Sequence, residues 1–395
     1  MLVLRELIAD RIRTSGPISF AEFMEISLYH PELGYYARAA QKSGRAGDFF
    51  TSVDVGPIFG ELLAKQFAEM WRVIQAQSPI PNPQSAGFDL VEGGAGSGRL
   101  ARDVLDAAQR SDPDFYSAIR LSLVEQSAAA RAAQIETLGP HAALLSHSAS
   151  ALPETVHGVI YANELLDALP THAVVMTDAG LREVFVDLAL STLRAPLGRT
   201  EQGQGTTGSG QAARFVERFE APSTPRLAEY LSRAGVEMRV GWRAEVNLGA
   251  EDWTKRAAES LQRGFIVLID YGHDERELYG ASHSAGTLTS YKQHSQLADF
   301  LQEPGEADMT AHVDISAVTR AAERSGLDVL ARLDQTYFML GLGITDLEGL
   351  ALHQRLAMKT LLLPGGLGST HKVLIFGKGV GKPALKGCSY RVRLT

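Results

Sequence analysis

The amino-acid sequence predicts an α/β fold: a doubly wound, Rossmann-like sheet with a helical N-terminal segment and an inserted α+β subdomain. Three observations carry this. Apolar runs alternate with amphipathic helices from residue 86 onward, the rhythm of a mainly parallel sheet. A glycine cluster, GGAGSG at 93–98, follows directly on one such run. The run FIVLI at 265–269 is apolar without interruption, as a parallel strand covered on both faces requires.

The elements follow in order. Val3, Leu4, Leu7, Ile8 and Ile12 repeat at helical spacing until Gly16 and Pro17 stop the run. Ser19 then reads as an N-cap, with Glu22 three residues on as its capping-box partner. Residues 57–75 form a strongly amphipathic helix with Pro57 in the first turn. SPIPNPQSAG (78–87) is a linker. Strands are expected at 88–92, 119–124, 142–146, 158–162, 264–270 and 372–377. Helices are expected at 98–109, 127–138 and 314–325, and across 336–362. THAVVMTDAGLREVFVDL looks like a hairpin turning at DAG, and the low-complexity stretch 198–211 reads as a loop. The expected organisation is a helical segment and lid over 1–77, a core of 86–170 and 262–380, and an insertion of 171–261 on the substrate side.

Composition excludes several classes of function. With 45% apolar and 21% charged residues in 395, the chain is an ordinary globular protein with a large core. No apolar run approaches a membrane span. A net charge of −8 gives no general attraction to nucleic acid. The single cysteine, Cys388, can make no internal disulfide, and the His and Asp residues show no metal-ligand spacing, so no metal site is expected. Glu6 and Asp10 near the start argue against a transit peptide, pointing to the cytoplasm.

DLVEGGAGSGRL (89–100) carries the first chemistry. GSGRLA fits a dinucleotide fingerprint, but Gly96 falls too far beyond the strand to seat a pyrophosphate on the helix N-terminus. EGGAGSG fits instead the pattern of S-adenosyl-L-methionine sites, with Gly94, Gly96 and Gly98 making room. Glu92 at the strand end suits the cationic methionine end. Glu125, after the second strand, suits the two ribose hydroxyls. Gln126 adds a ribose or adenine contact, and Ser148 lies where adenine is expected.

ISFAEFMEISLYHPELGYY, GDFFTSVDVGPIFGELLAKQF, YANELLDALPTH, IDYG, DMTAHVD and HKVLIFGKG occur in that order. Together, over about residues 5 to 380, they resemble the MidA-like methyltransferase family, which includes a mitochondrial assembly factor that methylates arginine. That family's glycine loop often reads E-L-G-P-G-R-G; here Gly93, Ala95 and Ser97 occupy the spacer positions. The resemblance implies a class I methyltransferase fold using S-adenosyl-L-methionine. It also implies a protein substrate, such as a respiratory-complex subunit or another assembly client, with arginine the known acceptor in the mitochondrial branch. The chain begins near the family's first helix, which favours a bacterial, cytoplasmic setting. A homodimer is compatible with it. Two alternatives stay open: methylation of a small molecule, and cofactor binding without turnover.

A guanidinium acceptor needs carboxylates to orient it and to take its proton. Asn163 is expected near the methionine end. Glu164 and Asp167, three apart on an expected helix start, are the candidate clamp, with Asp270 and Tyr271 after the next strand. GDFFTS reads as a lid in which Asp48 and Thr51 reach the cofactor. Tyr29, His30, Tyr35 and Tyr36 are candidate channel residues, though core packing suits those rings. Thr310 and His312 are lesser candidates, and Asp314 most simply caps a helix.

Overall fold

Leu4, Ile8 and Ile12 line the buried face of helix α1 (Leu4–Ser15). After the short strand β1 (Ile18–Ser19), the Ser19 hydroxyl accepts from the Glu22 amide and starts α2 (Phe20–Tyr29), as expected. Helices α3 (Tyr35–Gln41) and α4 (Ile58–Ala76) complete the N-terminal segment. The computed structural model describes residues 4–41, 52–53, 55–77, 87–189, 214–292, 295–296, 299–362, 367–368 and 370–390. The low-complexity stretch, most of the linker, and Asp48 and Thr51 of the expected lid lie outside these.

The repeating unit begins at β2 (Phe88–Gly93). Helices α5 (Arg99–Ser111) and α6 (Pro113–Ala118), strand β3 (Ile119–Val124), helix α7 (Ala128–Leu138), β4 (Leu145–Ala149) and β5 (Val156–Asn163) follow. A hairpin, β6 (His172–Thr177) and β7 (Gly180–Leu188), turns where DAG predicts. Then come β8 (Phe215–Glu220), β9 (Arg243–Val246), a helix at Leu248–Ser260 and the long β10 (Leu261–His273). A small antiparallel sheet of β11 (Thr289–Lys292), β12 (Ser295–Gln296) and β13 (Asp308–Thr310) precedes β14 (Val313–Asp314), a helix at Ile315–Arg324, β15 (Asp328–Asp334) and β16 (His371–Lys378).

The main sheet runs β15-β16-β10-β5-β2-β3-β4, with β14 alongside the end of β10. Every pair from β10 to β4 is parallel, whereas β16 lies antiparallel between β10 and β15. FIVLI is therefore buried as expected, but has a parallel neighbour on one side only. Helices α4 and α5 cover one face of the sheet; Leu248–Ser260 and Ile315–Arg324 cover the other.

Two differences have physical causes. The third expected strand moves to Leu145–Ala149 because Gly139–Leu144 is taken up by a 3₁₀ helix. The helical reading of 336–362 divides into Gln335–Gly341 and Leu352–Leu362. Ile18–Ser19 pairs with Val186 and Phe185, so β1 of the N-terminal segment joins β6, β7, β8 and β9 in one antiparallel sheet. The helix at Leu248–Ser260, by contrast, packs Ala250, Trp253 and Ala257 against the main sheet.

Candidate active site

The sheet reverses direction of growth between β2 and β5, the place where ligands bind in open α/β folds. A cleft of about 1170 Å³ lies beside this point. Gly94, Glu125, Gln126, Glu164, Leu165 and Trp253 are among the residues lining it.

The glycine turn is built for close approach. Gly94, Gly96 and Gly98 have φ of 68°, 52° and 86°, which side-chain-bearing residues avoid. A Cβ on Gly94 would also meet Leu165 at 2.9 Å. The Gly96 amide donates to Glu125 Oε2 at 2.9 Å, and the Ser127 amide donates to Oε1 at 2.7 Å. Gln134 donates to the Gly96 carbonyl and accepts from the Ser148 hydroxyl at 2.7 Å. Ser148 thus braces the turn from behind, and Ser150 and Ala151 line the cleft where adenine was expected. Gln126 donates to the Ser150 carbonyl. Glu92 is 4% exposed, accepts from the Tyr161 hydroxyl at 2.9 Å, and is not among the lining residues. Burial pushes its pKa up to about 8, against the lowering effect of the Tyr161 and Ala101 donors.

The second half of the site is acidic. The expected helix start at Glu164 is absent: the chain bends and turns through 164–169. Two contacts explain this. Asp270 Oδ2 accepts from the amides of Leu165 and Leu166 at 3.2 and 2.8 Å, holding them as a turn. Glu164 has φ of 50°, the one non-glycine residue with positive φ among those described. The structure still gathers the predicted acids. Asp167 is held well above the ordinary carboxylate range by burial and by Asp270, Glu164 and Asp308. Burial raises Asp270 to about 7, with Glu164 adding to the shift and the Leu166 and Tyr271 amides and His371 opposing it. Oδ1 of both Asn163 and Asp167 is buried without a hydrogen-bond partner among the described residues. Glu164 Oε1 accepts from the Ser52 amide at 3.0 Å and from Asn163 at 3.1 Å, with His371 Nε2 at 3.5 Å. Tyr271 donates to Thr310, and its ring lies 5.6 Å from that of His371.

Tyr29, His30 and Tyr36 line the cleft; Tyr35 stacks edge-on to Tyr36 instead. Tyr29 donates to the Ala168 carbonyl and Tyr36 to Asp308, tying the N-terminal helices to the acidic turn. Asp314 caps its helix through the Ala317 amide, as expected. Sequence reasoning passed over Trp253, Asp308 and His371. The last two sat inside motifs already singled out, DMTAHVD and HKVLIFGKG. Trp253 lies in a helix that had no strong pattern. The sequence shows no metal-ligand spacing, yet His273, His283 and His312 come together in space. Among the described residues no helix is long and apolar enough to cross a membrane.

The fold is that of a class I methyltransferase. Residues 62–332 match a family described as "Putative S-adenosyl-L-methionine-dependent methyltransferase", and the chain belongs to it. It is similar to a Drosophila melanogaster protein named Protein arginine methyltransferase NDUFAF7 homolog, mitochondrial: 30% identity, covering 95% of this chain and 85% of the relative. The Mus musculus Protein arginine methyltransferase NDUFAF7, mitochondrial, is 29% identical, covering 85% and 72%. A Burkholderia thailandensis protein crystallised with S-adenosyl-homocysteine superposes with a TM-score of 0.80 at 28% identity, covering 98% of this chain and 94% of its own. S-adenosyl-L-methionine is the cofactor. The positive-φ glycines, the roomy cleft and the unpartnered Asn163 Oδ1 fit such a group.

Proposed function

We propose that this methyltransferase acts on arginine side chains of a protein substrate. One observation carries the proposal: Glu164, Asp167 and Asp270 form an acidic cluster in which burial and the neighbouring carboxylates raise both aspartates, with His371 3.5 Å from Glu164. A guanidinium entering the cleft brings a full cation to this cluster, and the carboxylates orient it and accept its proton. The arginine methyltransferase relatives support the same acceptor.

When bound, S-adenosyl-L-methionine supplies an already activated methyl group. The protein's part is then alignment and exclusion of water. In this reading Gly94, Gly96 and Gly98 admit the cofactor's backbone-hugging end, and Glu125 and Gln126 hold its ribose. Asn163 reaches the methionine end. Glu92 and Ser148 act through the turn, holding its two sides. Tyr29 and Tyr36 close the acceptor channel against the acidic turn.

The test of function is methyl transfer from isotopically labelled cofactor to proteins of a cell extract, followed by mass spectrometry. Methylarginine in labelled proteins supports the proposal. Label confined to other side chains or to small molecules overturns it.

A further inference from the structure

His283 lies ten positions after His273 in the sequence, and His312 another 29 positions on. The fold cancels this spacing. His273 ends β10, His283 closes a 3₁₀ turn, and His312 lies between β13 and β14. One ring nitrogen from each lies within 4.8 Å of the others. Their ring centroids are 4.8, 5.1 and 5.8 Å apart.

We propose that these three histidines bind a divalent transition-metal ion of the zinc type.

The surrounding hydrogen bonds are those a metal site needs. His273 Nδ1 lies 3.1 Å from the Glu277 carboxylate, and His283 Nδ1 lies 2.9 Å from the Glu277 carbonyl. One residue therefore engages the Nδ1 of both rings, by side chain and by backbone, and leaves each Nε2 to serve as ligand. A carboxylate or carbonyl on the second ring nitrogen fixes the tautomer and increases ligand basicity. His283 Nδ1 also has the Ser282 hydroxyl at 3.4 Å. His312 contributes differently: its Nδ1 is buried and has no partner among the described residues.

Three imidazole ligands select zinc, cobalt or nickel over magnesium or calcium, which prefer oxygen. Tetrahedral zinc at about 2.0–2.1 Å from each nitrogen brings ligands to roughly 3.3 Å apart, so the rings close inward on binding. The fourth position stays open to water or a donor from a partner. The ion would pin the turn carrying His283 onto the strand end carrying His273. It would lie one ring away from Tyr271, whose centroid is 5.1 Å from that of His312.

The test uses full-length, tag-free protein stripped with chelator and titrated with Co²⁺, read by visible d–d absorption and reversed with Zn²⁺. Saturation at one equivalent, with an intense band of tetrahedral type, is the expected result. His283→Ala should remove the band. Glu277→Gln, at an exposed side chain, should weaken binding about 10- to 100-fold with unchanged circular dichroism. The second variant decides the matter if the first fails to fold. No saturable band, or the same titration in both variants as in the native protein, overturns the proposal.

Discussion

The backbone amide of Gly96 donates to the side chain of Glu125 at 2.9 Å, so the turn after β2 is fastened to the end of β3 by a carboxylate. Glu125 also takes the Ser127 amide. The residue read from sequence as a ribose ligand is thus already a structural strut, with lone pairs left over for hydroxyl donors.

Glu125→Gln should separate these roles. The carboxamide keeps one acceptor oxygen for the Gly96 amide but loses the charge and the second acceptor. Affinity for S-adenosyl-L-methionine should fall at least tenfold by calorimetric titration, while the thermal midpoint drops only a few degrees. Unchanged affinity would remove Glu125 from the proposed cofactor site. Glu125→Ala, which orphans both amides, should cost about 1–3 kcal/mol in addition.

Gly94 combines φ of 68° with Leu165 at 2.9 Å from a would-be Cβ. Gly94→Ala should weaken cofactor binding, and Gly94→Val should abolish it, because a β-branched residue in this region is strained by about 1–3 kcal/mol. Tight binding retained by the valine variant would show that the cofactor does not sit on this turn.

Asp167 is buried beside Asp270 and Glu164, and its Oδ1 has no partner among the described residues. Asp167→Asn removes the like-charge repulsion. The variant should be more stable, by roughly 1 kcal/mol or more, and at least about 100-fold slower in methyl transfer. Calorimetry of cofactor binding should be unaffected. A slower enzyme that is also less stable would make Asp167 a structural residue.

Glu92 gives a pH signature. Its pKa is about 8 in the folded protein against 4.5 in the unfolded chain. Between these values the folded state holds a proton that the unfolded state has released. Stability from this group is therefore fully present at low pH, falls as pH rises toward 8, and is flat beyond. Glu92→Gln mimics the protonated form, so the variant should gain on the native protein as pH is raised from about 5 to about 9, by more than about 1.4 kcal/mol. Denaturant midpoints across that range measure it; parallel curves would contradict the assigned pKa.

Much of the sheet was legible because FIVLI announces a buried strand by continuous apolar character, and FDLVE by the glycine turn that follows it. FVERFE, RAEV and DVLARLD were not, since each is interrupted by charge; β8 and β15 have partly exposed faces, and β9 is only four residues long. NELLDALP looked like a helix start because Glu and Leu favour one, but Asp270, more than a hundred residues away, takes the amides that would begin it. The individual acids were readable as types at strand ends. Their mutual repulsion, and the meeting of three distant histidines, are properties of the sheet order alone.

His371–Lys378 is the last strand of the main sheet in the chain, yet it lies inside that sheet, between β10 and β15. During synthesis, β10 and β15 must therefore wait with unpaired edges until residue 378 has left the ribosome. A nascent or prematurely terminated chain that ends before this strand presents two open strands to any passing β-segment. The C-terminal strand is therefore the clasp that joins β10 to β15.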